Sequence, residues 1–340
     1  MQHILIVDDN LTNLEQVNIQ LEDDFEVSLA KSGPQALEIC LATRPDLVLL
    51  DIEMPDMDGF ETLAALKANP ELKDIPVIFL TASPDIQTEI RATKAGASDF
   101  IAKPVERDLL LHSINTQLSI SRSKDQTERL VRDFEDKLIM SLAKLCEHRT
   151  DADPFAAKRV SKLVYILGSA IMEEGLYYEE LTPLTLDLMV RAAPLHDIGK
   201  IAIPDALLFK PSGLNDSEFA LVKTHTSMGE KILKDIFKTI PGQDFHSYAL
   251  IMTRSHHERF DGKGYPEGLK DSEIPLAAKI MAICDVYDAL LEKRPYRAPL
   301  SAKDAISVIK SGAGSLFDPK LTELFAEKED KIVEAARESC

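Results

Sequence analysis

The sequence predicts a multidomain chain that opens with an α/β doubly wound domain, and three observations carry that expectation. The 340 residues suffice for about two domains at roughly 150 residues each. The N-terminal part holds continuous apolar runs that each end in a polar residue: Ile4 to Val7 before Asp8-Asp9, Leu47 to Leu50 before Asp51, and Pro76 to Leu80 before Thr81. Helix-length amphipathic segments separate them. Continuous apolar strands of this kind belong to parallel sheets covered on both faces, and such sheets gather their chemistry at the carboxyl ends of the strands. Asp8, Asp9, Asp51, Thr81 and, after the Phe100-Ile101 segment, Lys103 fall at those ends. Three carboxylates on one edge repel one another unless a hard cation lies between them, and oxygen ligands of this kind suit Mg²⁺. Lys103 would neutralise a phosphoryl group there.

A helical connector follows. From about Arg107 to Leu145 there is no Pro or Gly, and apolar residues at Leu110, Ile114, Leu118, Leu130, Phe134 and Leu138 fall partly at helical spacing, which predicts one long helix. Its polar middle, Ser119 to Arg129, fits a linker that crosses solvent or a weak coiled coil through which two copies would form a homodimer.

Metal-capable residues cluster downstream: His196-Asp197, His225, His256-His257 and Asp285, with Lys200 beside the first pair. Neighbouring residues on a helix point about 100° apart, so His196 and Asp197 serve one centre only near a helix end or between two metals. Gly199 reads as a helix C-cap. Imidazole with carboxylate suits Zn, Fe, Mn or Ni, and an aspartate bridging two ions suits hydroxide generation for phosphoester cleavage. Lys200 or nearby arginines would hold the non-bridging oxygens.

Composition narrows the partners. Lys plus Arg is 39 and Asp plus Glu 57, a formal charge of −18 that disfavours DNA and anionic membrane surfaces. Hydrophobic residues at 45% with 28% charged belong to a folded chain. The longest apolar stretch, Leu163 to Met172, is broken by Gly168 and Ser169 and is too short for a bilayer; with no signal-peptide layout, a cytoplasmic location is expected. Cys40, Cys146, Cys284 and Cys340 stand far apart, which argues against a disulfide framework or a zinc knuckle. Any metal falls to histidines and carboxylates.

Residues 1–118 resemble a response-regulator receiver domain. Asp51 followed by Met54-Pro55-Asp56-Met57-Asp58-Gly59 is similar to that family's phosphoacceptor strand and loop, and Lys103-Pro104 to its lysine and cis-proline. The resemblance implies a five-stranded parallel sheet and phosphorylation of Asp51 by a sensor histidine kinase. It further implies Mg²⁺ held with the help of Asp8 and Asp9, phosphoryl contacts from Thr81 and Lys103, and Phe100 as the switch aromatic.

After a linker over 119–145, residues 146–340 resemble an HD-GYP domain. The resemblance is carried by His196-Asp197-Ile198-Gly199-Lys200, Ile203-Pro204, His256-His257-Glu258, Asp261-Gly262-Lys263-Gly264-Tyr265-Pro266, Asp285-Val286-Tyr287-Asp288-Ala289-Leu290, Arg294-Pro295-Tyr296-Arg297 and Phe317-Asp318-Pro319. It implies an all-α fold of the HD superfamily, two divalent transition-metal ions, and hydrolysis of cyclic di-GMP to pGpG or onward to GMP. By position His196, Asp197 and Asp285 would belong to one metal, and Asp197, His225, His256 and His257 to the other. Lys200, Arg294 and Arg297 would touch phosphate or guanine, and the Gly264-Tyr265-Pro266 loop would shape the pocket. Gly262 and Gly264 permit unusual backbone angles.

The chain departs from that family at its entry. The segment Glu147 to Val160 aligns without a gap, so Ala156 stands where a metal-binding histidine is expected and Ala152 where a third-metal glutamate ligand would be. A trinuclear site is not expected, and the first metal loses a ligand that water, Asp151, Asp153 or His148 could replace. Weaker metal affinity follows. Three readings stand: a phosphorylation-regulated cyclic di-GMP phosphodiesterase; an impaired module that binds cyclic di-GMP or a partner such as a diguanylate cyclase without turnover; and an enzyme for another cyclic dinucleotide.

Overall fold

A computed structural model of the chain describes residues 1–82, 86–150, 155–238, 240, 242–292 and 298–337, with the side chains of 125, 128, 147–150 and 243 left aside. The chain divides into two compact units, Met1–Val131 and Arg132–Cys340.

In the first unit β1 (His3–Val7), α1 (Leu11–Leu21), β2 (Glu26–Ala30), α2 (Gly33–Thr43), β3 (Leu47–Asp51), α3 (Gly59–Ala68), β4 (Val77–Thr81), α4 (Ile86–Ala95) and β5 (Asp99–Ala102) alternate, and α5 (Arg107–Thr150) begins. The strands form one parallel sheet in the order β2-β1-β3-β4-β5. Successive side chains on a strand face opposite ways. Leu5, Val7, Val48, Leu50, Val77 and Phe79 therefore pack with Ala36 and Leu63 of α2 and α3. Ile4, Ile6, Leu47, Leu49, Ile78 and Leu80 pack with Leu14 of α1 and Leu110 of α5 on the other face. The strand without an apolar run is β2: Glu-Val-Ser-Leu-Ala lies at the sheet edge, where only Ala30 is buried.

The pairings Val7 with Leu50, Asp51 with Leu80 and Thr81 with Ala102 bring the polar strand ends to one edge. Glycine is required at Gly59, because a Cβ there would stand 2.4 Å from the Asp51 carbonyl oxygen. The loop after β3 can then fold back on its own strand, and Asp58 caps α3 by accepting from the Glu61 amide at 2.7 Å.

The second unit is helical. The end of α5 is followed by α6 (Ala156–Glu173), α7 (Pro183–Ala192), α8 (Asp205–Leu208), α9 (Asp216–Lys223), α10 (His225–Phe237), α11 (Gln243–Ser255), α12 (Leu276–Leu291), α13 (Ala302–Ser311), α14 (Pro319–Glu327) and α15 (Glu329–Arg337). Ile280, Ile283, Cys284 and Tyr287 of α12 are fully buried and share one core with Leu163 and Leu167 of α6, Met252 of α11 and Phe325 of α14. Along α5, Leu118 is buried in the first unit and Ile139 and Cys146 in the second, while Leu130, Phe134 and Leu138 are exposed. Among the described residues Cys40, Cys146 and Cys284 form no disulfide, and no helix is long and apolar enough to cross a membrane.

Candidate metal centre

Between α7 and α8 the backbone tightens into 3₁₀ turns at Ala193–Leu195 and Ile198–Ala202, and His196-Asp197 stands at the junction. The expectation that Gly199 caps a helix is corrected here. It lies inside the second turn, and a Cβ on it would stand 1.8 Å from the His225 carbonyl oxygen and 2.6 Å from the Gly229 nitrogen. Glycine lets this turn press against the start of α10, which brings Asp197 and Lys200 to His225.

Six predicted residues converge at this point. His225 opens α10, His256 and His257 follow α11, and Asp285 lies on α12. The ligand atoms of His225, His256 and His257 lie within 4.8 Å of one another, as do those of His196, Asp197 and Asp285. Asp197 joins the groups: Oδ1 is 3.4 Å from Nε2 of His225 and 3.8 Å from that of His256, while Oδ2 is 3.3 Å from Nε2 of His196. His196 Nε2 is also 3.5 Å from Asp285 Oδ1.

The donor set fits divalent cations. Nδ1 of His196, His225 and His256 lies 2.8 Å from the main-chain carbonyls of Ala193, Val222 and Met252 respectively, which assigns the proton to Nδ1 and turns each Nε2 lone pair inward. Nε2 of His225 and Nε2 of His256 are then two acceptors 3.4 Å apart, with no hydrogen to share. Two nitrogens at bonds of about 2.0–2.1 Å and that spacing subtend roughly a tetrahedral angle at one ion. Asp197 Oδ1 is buried and accepts no hydrogen bond.

Electrostatics divide the cluster the same way. Burial holds His225, His256 and His257 below their ordinary values, His257 down to about 4, which favours the neutral imidazole that a metal ion requires. Burial also opposes charge on His196, but Asp197 and Asp285 hold it up to about 10. Positive charge is favoured there, whether a proton or a metal ion supplies it. Burial raises Asp197, yet Lys200 and His196 hold it well below the carboxylate range.

Ala156 opens α6 and lines, with Cys146, Val160, His196, Asp197 and Asp285, a cavity of about 70 Å³ on the His196 side. Asp151, Ala152, Asp153, Arg294 and Arg297, and the side chain of His148, lie outside the described residues. Lys200 donates to Asp197. Tyr265 packs on His257 at a centroid distance of 4.8 Å. Its loop is held by buried Glu258, whose oxygens accept from the amides of Glu267 and Leu269 at 2.8 and 2.9 Å. Gly262 has φ +78°; Gly264 needs no unusual angle, correcting the expectation, and is required because a Cβ would stand 2.4 Å from the Arg259 nitrogen.

Sequence reasoning gave no role to Arg159 and Asp288, a buried ion pair between α6 and α12. The signal was spacing: each lies three residues beyond a site position, Ala156 and Asp285, one turn along the same face.

At the sheet edge of the first unit, oxygens of Asp8, Asp9 and Asp51 lie within 4.8 Å of one another. Lys103 Nζ is 2.7 Å from Asp8 and 2.9 Å from Asp51. Burial pushes Asp51 up and Lys103 pulls it down, with the upward shift prevailing. Thr81 is buried at the end of β4, Phe100 is half-buried in β5, and the Lys103-Pro104 peptide is cis. An oxygen-rich cluster of this kind fits Mg²⁺.

Fold and site together define a class: a doubly wound α/β domain with carboxylates and a lysine at its sheet edge, followed by a helical domain built around clustered histidines and carboxylates. Residues 4–115 match the response regulator receiver domain, and residues 151–321 match the HD domain. A probable cyclic di-GMP phosphodiesterase of Vibrio cholerae is 38% identical, covering 98% of this chain and 79% of that protein. The cyclic di-GMP phosphodiesterase response regulator RpfG of Xanthomonas campestris is 33% identical over 94% of this chain and 85% of its own length. A 3′3′-cGAMP-specific phosphodiesterase 2 of Vibrio cholerae is 32% identical over 60% of this chain and 36% of that protein. The chain belongs to the response regulators that join a receiver domain to an HD-GYP domain.

Proposed function

We propose that the chain is a two-component response regulator whose HD-GYP domain hydrolyses cyclic di-GMP to pGpG, GMP or both, controlled by phosphorylation of Asp51. The carrying observation is the convergence of three inward-turned Nε2 atoms on the two oxygens of Asp197. His196, Asp197 and Asp285 would hold one divalent ion, and Asp197, His225, His256 and His257 the other. When bound, the ions supply Lewis acidity toward a phosphodiester and a nucleophile at neutral pH. Lys200 places an ammonium at the centre's edge to hold a non-bridging oxygen, and Tyr265 walls the site beside His257; Arg294 and Arg297, outside the described residues, would supply further anion contacts. In the receiver, Asp8, Asp9 and Asp51 would hold Mg²⁺, with Thr81, Lys103 and Phe100 answering the phosphoryl group. We place the receiver at 1–118, the connector at 119–145 and the HD-GYP domain at 146–340.

One observation favours a second reading. Ala156 supplies no nitrogen beside His196 and Asp285, and a centre short of one ligand would bind cyclic di-GMP without turning it over. Incubating the purified chain with cyclic di-GMP and Mn²⁺ or Fe²⁺, against an Asp197→Ala control, separates the two. Metal-dependent product supports the enzyme. Binding with no product overturns it in favour of the signalling module.

A further inference from the structure

Beside the histidine triad lies a second recess of about 250 Å³, lined by Phe219, Lys223, His257, Arg259, Tyr265 and Val286 among others. Binding sites for drug-sized ligands run to about 300–1,000 Å³, so this recess suits a single base and not a whole dinucleotide. Its outer wall is α9, a short surface helix with no fully buried residue. Asn215 caps α9 and accepts from the Glu218 amide at 2.9 Å, while Glu218 is paired with Lys210 at 2.6 Å. A helix fixed so firmly nevertheless leaves Phe219 45% exposed. The ring stands edge-on to Tyr265, 81° between planes and 6.4 Å between centroids.

Lys223, one turn further along α9, sets its ammonium 4.6 Å from the Phe219 centroid and 5.2 Å from that of Tyr265. Among the described residues no carboxylate lies within ion-pair distance of it. In a chain with formal charge −18, such a lysine is a local exception. Its neighbours are aromatic faces, and Tyr265 leans in turn on His257 of the metal centre.

We propose that Phe219, Lys223 and Tyr265 form a base subsite that takes one purine of the cyclic dinucleotide and favours guanine. This rests on the reading of the adjoining centre as a cyclic-dinucleotide site. Exposed aromatic rings offer a base its stacking partner. Lysine carries three donors and no acceptor. Guanine presents two acceptors, O6 and N7, on one edge, whereas adenine presents N7 beside an N6 donor that would oppose the ammonium. The subsite thus gives the site a means of choosing between bases, and two of its three residues, Phe219 and Lys223, stand on a helix outside every motif that carries the family resemblance.

The test is calorimetric titration of the full-length, metal-loaded protein with hydrolysis-resistant phosphorothioate analogues of cyclic di-GMP and cyclic di-AMP, with metal content measured throughout. The unaltered protein should prefer the guanine ligand. Phe219→Ala should weaken that ligand by about 5- to 150-fold, the range that loss of one base–aromatic stack spans. Lys223→Met keeps the stem and removes the donor, and should cut the preference for guanine by about tenfold or more. A merely structural role would weaken both ligands alike and leave that preference intact, which overturns the assignment of Lys223. If both variants bind as the unaltered protein does, the subsite is overturned and the phosphodiesterase reading stands. If the unaltered protein binds neither analogue, both fall.

Discussion

Replacing Ala156 with histidine puts the account of the metal centre at risk. The residue is buried at the start of α6 and faces the cavity of about 70 Å³ beside His196 and Asp285. At about 24 cal/mol per Å³, a void of that size costs at most about 1.7 kcal/mol. Forcing a larger side chain into a packed site costs about 1–3 kcal/mol. These terms oppose one another and are of similar size, so without metal the variant should melt within a few degrees of the unaltered protein. With Mn²⁺ the balance differs. Loss of even an outer-shell partner weakens a metal site about 10- to 100-fold, and one more direct nitrogen should gain the upper end of that range. A hundredfold tighter site adds about 2.7 kcal/mol at saturating metal, or roughly 5–11 °C in Tm for a domain of this size. Thermal scans with and without Mn²⁺, alongside metal analysis, measure both effects. A rise in Tm that is the same with and without Mn²⁺, or no gain in bound metal, would refute the placing of a ligand position at 156.

Three further outcomes are expected. Lys103→Met leaves the largely buried carboxylates of Asp8 and Asp51 facing each other, and should destabilise the receiver by about 3–5 kcal/mol in denaturant titrations without divalent cations; Mg²⁺ should recover part of the loss. Arg159→Met strands Asp288 and should cost a similar amount, whereas the Arg159→Met/Asp288→Leu double variant should lie close to the unaltered protein; equal losses in both would show that the pair is not the unit. Gly199→Ala forces the turn carrying Asp197 away from α10, and should lower metal content along with about 1–3 kcal/mol of stability. Full metal content in that variant would mean that contact with the His225 carbonyl does not set the centre.

What the sequence could disclose depended on how local the physics is. The runs at Ile4, Leu47 and Pro76 announce strands because those strands are buried on both faces, and the polar residues after them mark the functional edge. β2 gives no such signal: at the sheet edge, Val27 and Ser28 are only half-buried and Leu29 is exposed, so its composition has no reason to be apolar. The six clustered histidines and aspartates were legible because such residues are scarce in apolar surroundings, yet their partition about Asp197 needed coordinates. Gly199 misled because a glycine after a helical run usually marks a C-cap, whereas here the constraint is a neighbouring carbonyl from α10. Phe219 and Lys223 were invisible for a related reason. Four residues apart on one helix, they resemble any surface pair until Tyr265, more than forty positions on, is brought against them.

The formal charge of −18 gains meaning from where the lysines stand. Lys103 is held between Asp8 and Asp51, and Lys200 by Asp197. Both ammonium groups are thus tied to carboxylates that serve as cation ligands in the proposed function, so the charge each can offer a phosphate depends on how those carboxylates are neutralised. Lys223 is tied to no carboxylate among the described residues, and its neighbours are the rings of Phe219 and Tyr265. Under the proposed function, recognition of phosphate would therefore be coupled to metal occupancy in both units, while recognition of the base would not. A substrate read by these two means would be selected twice, once by its anionic backbone at the metals and once by the acceptor edge of its purine at α9.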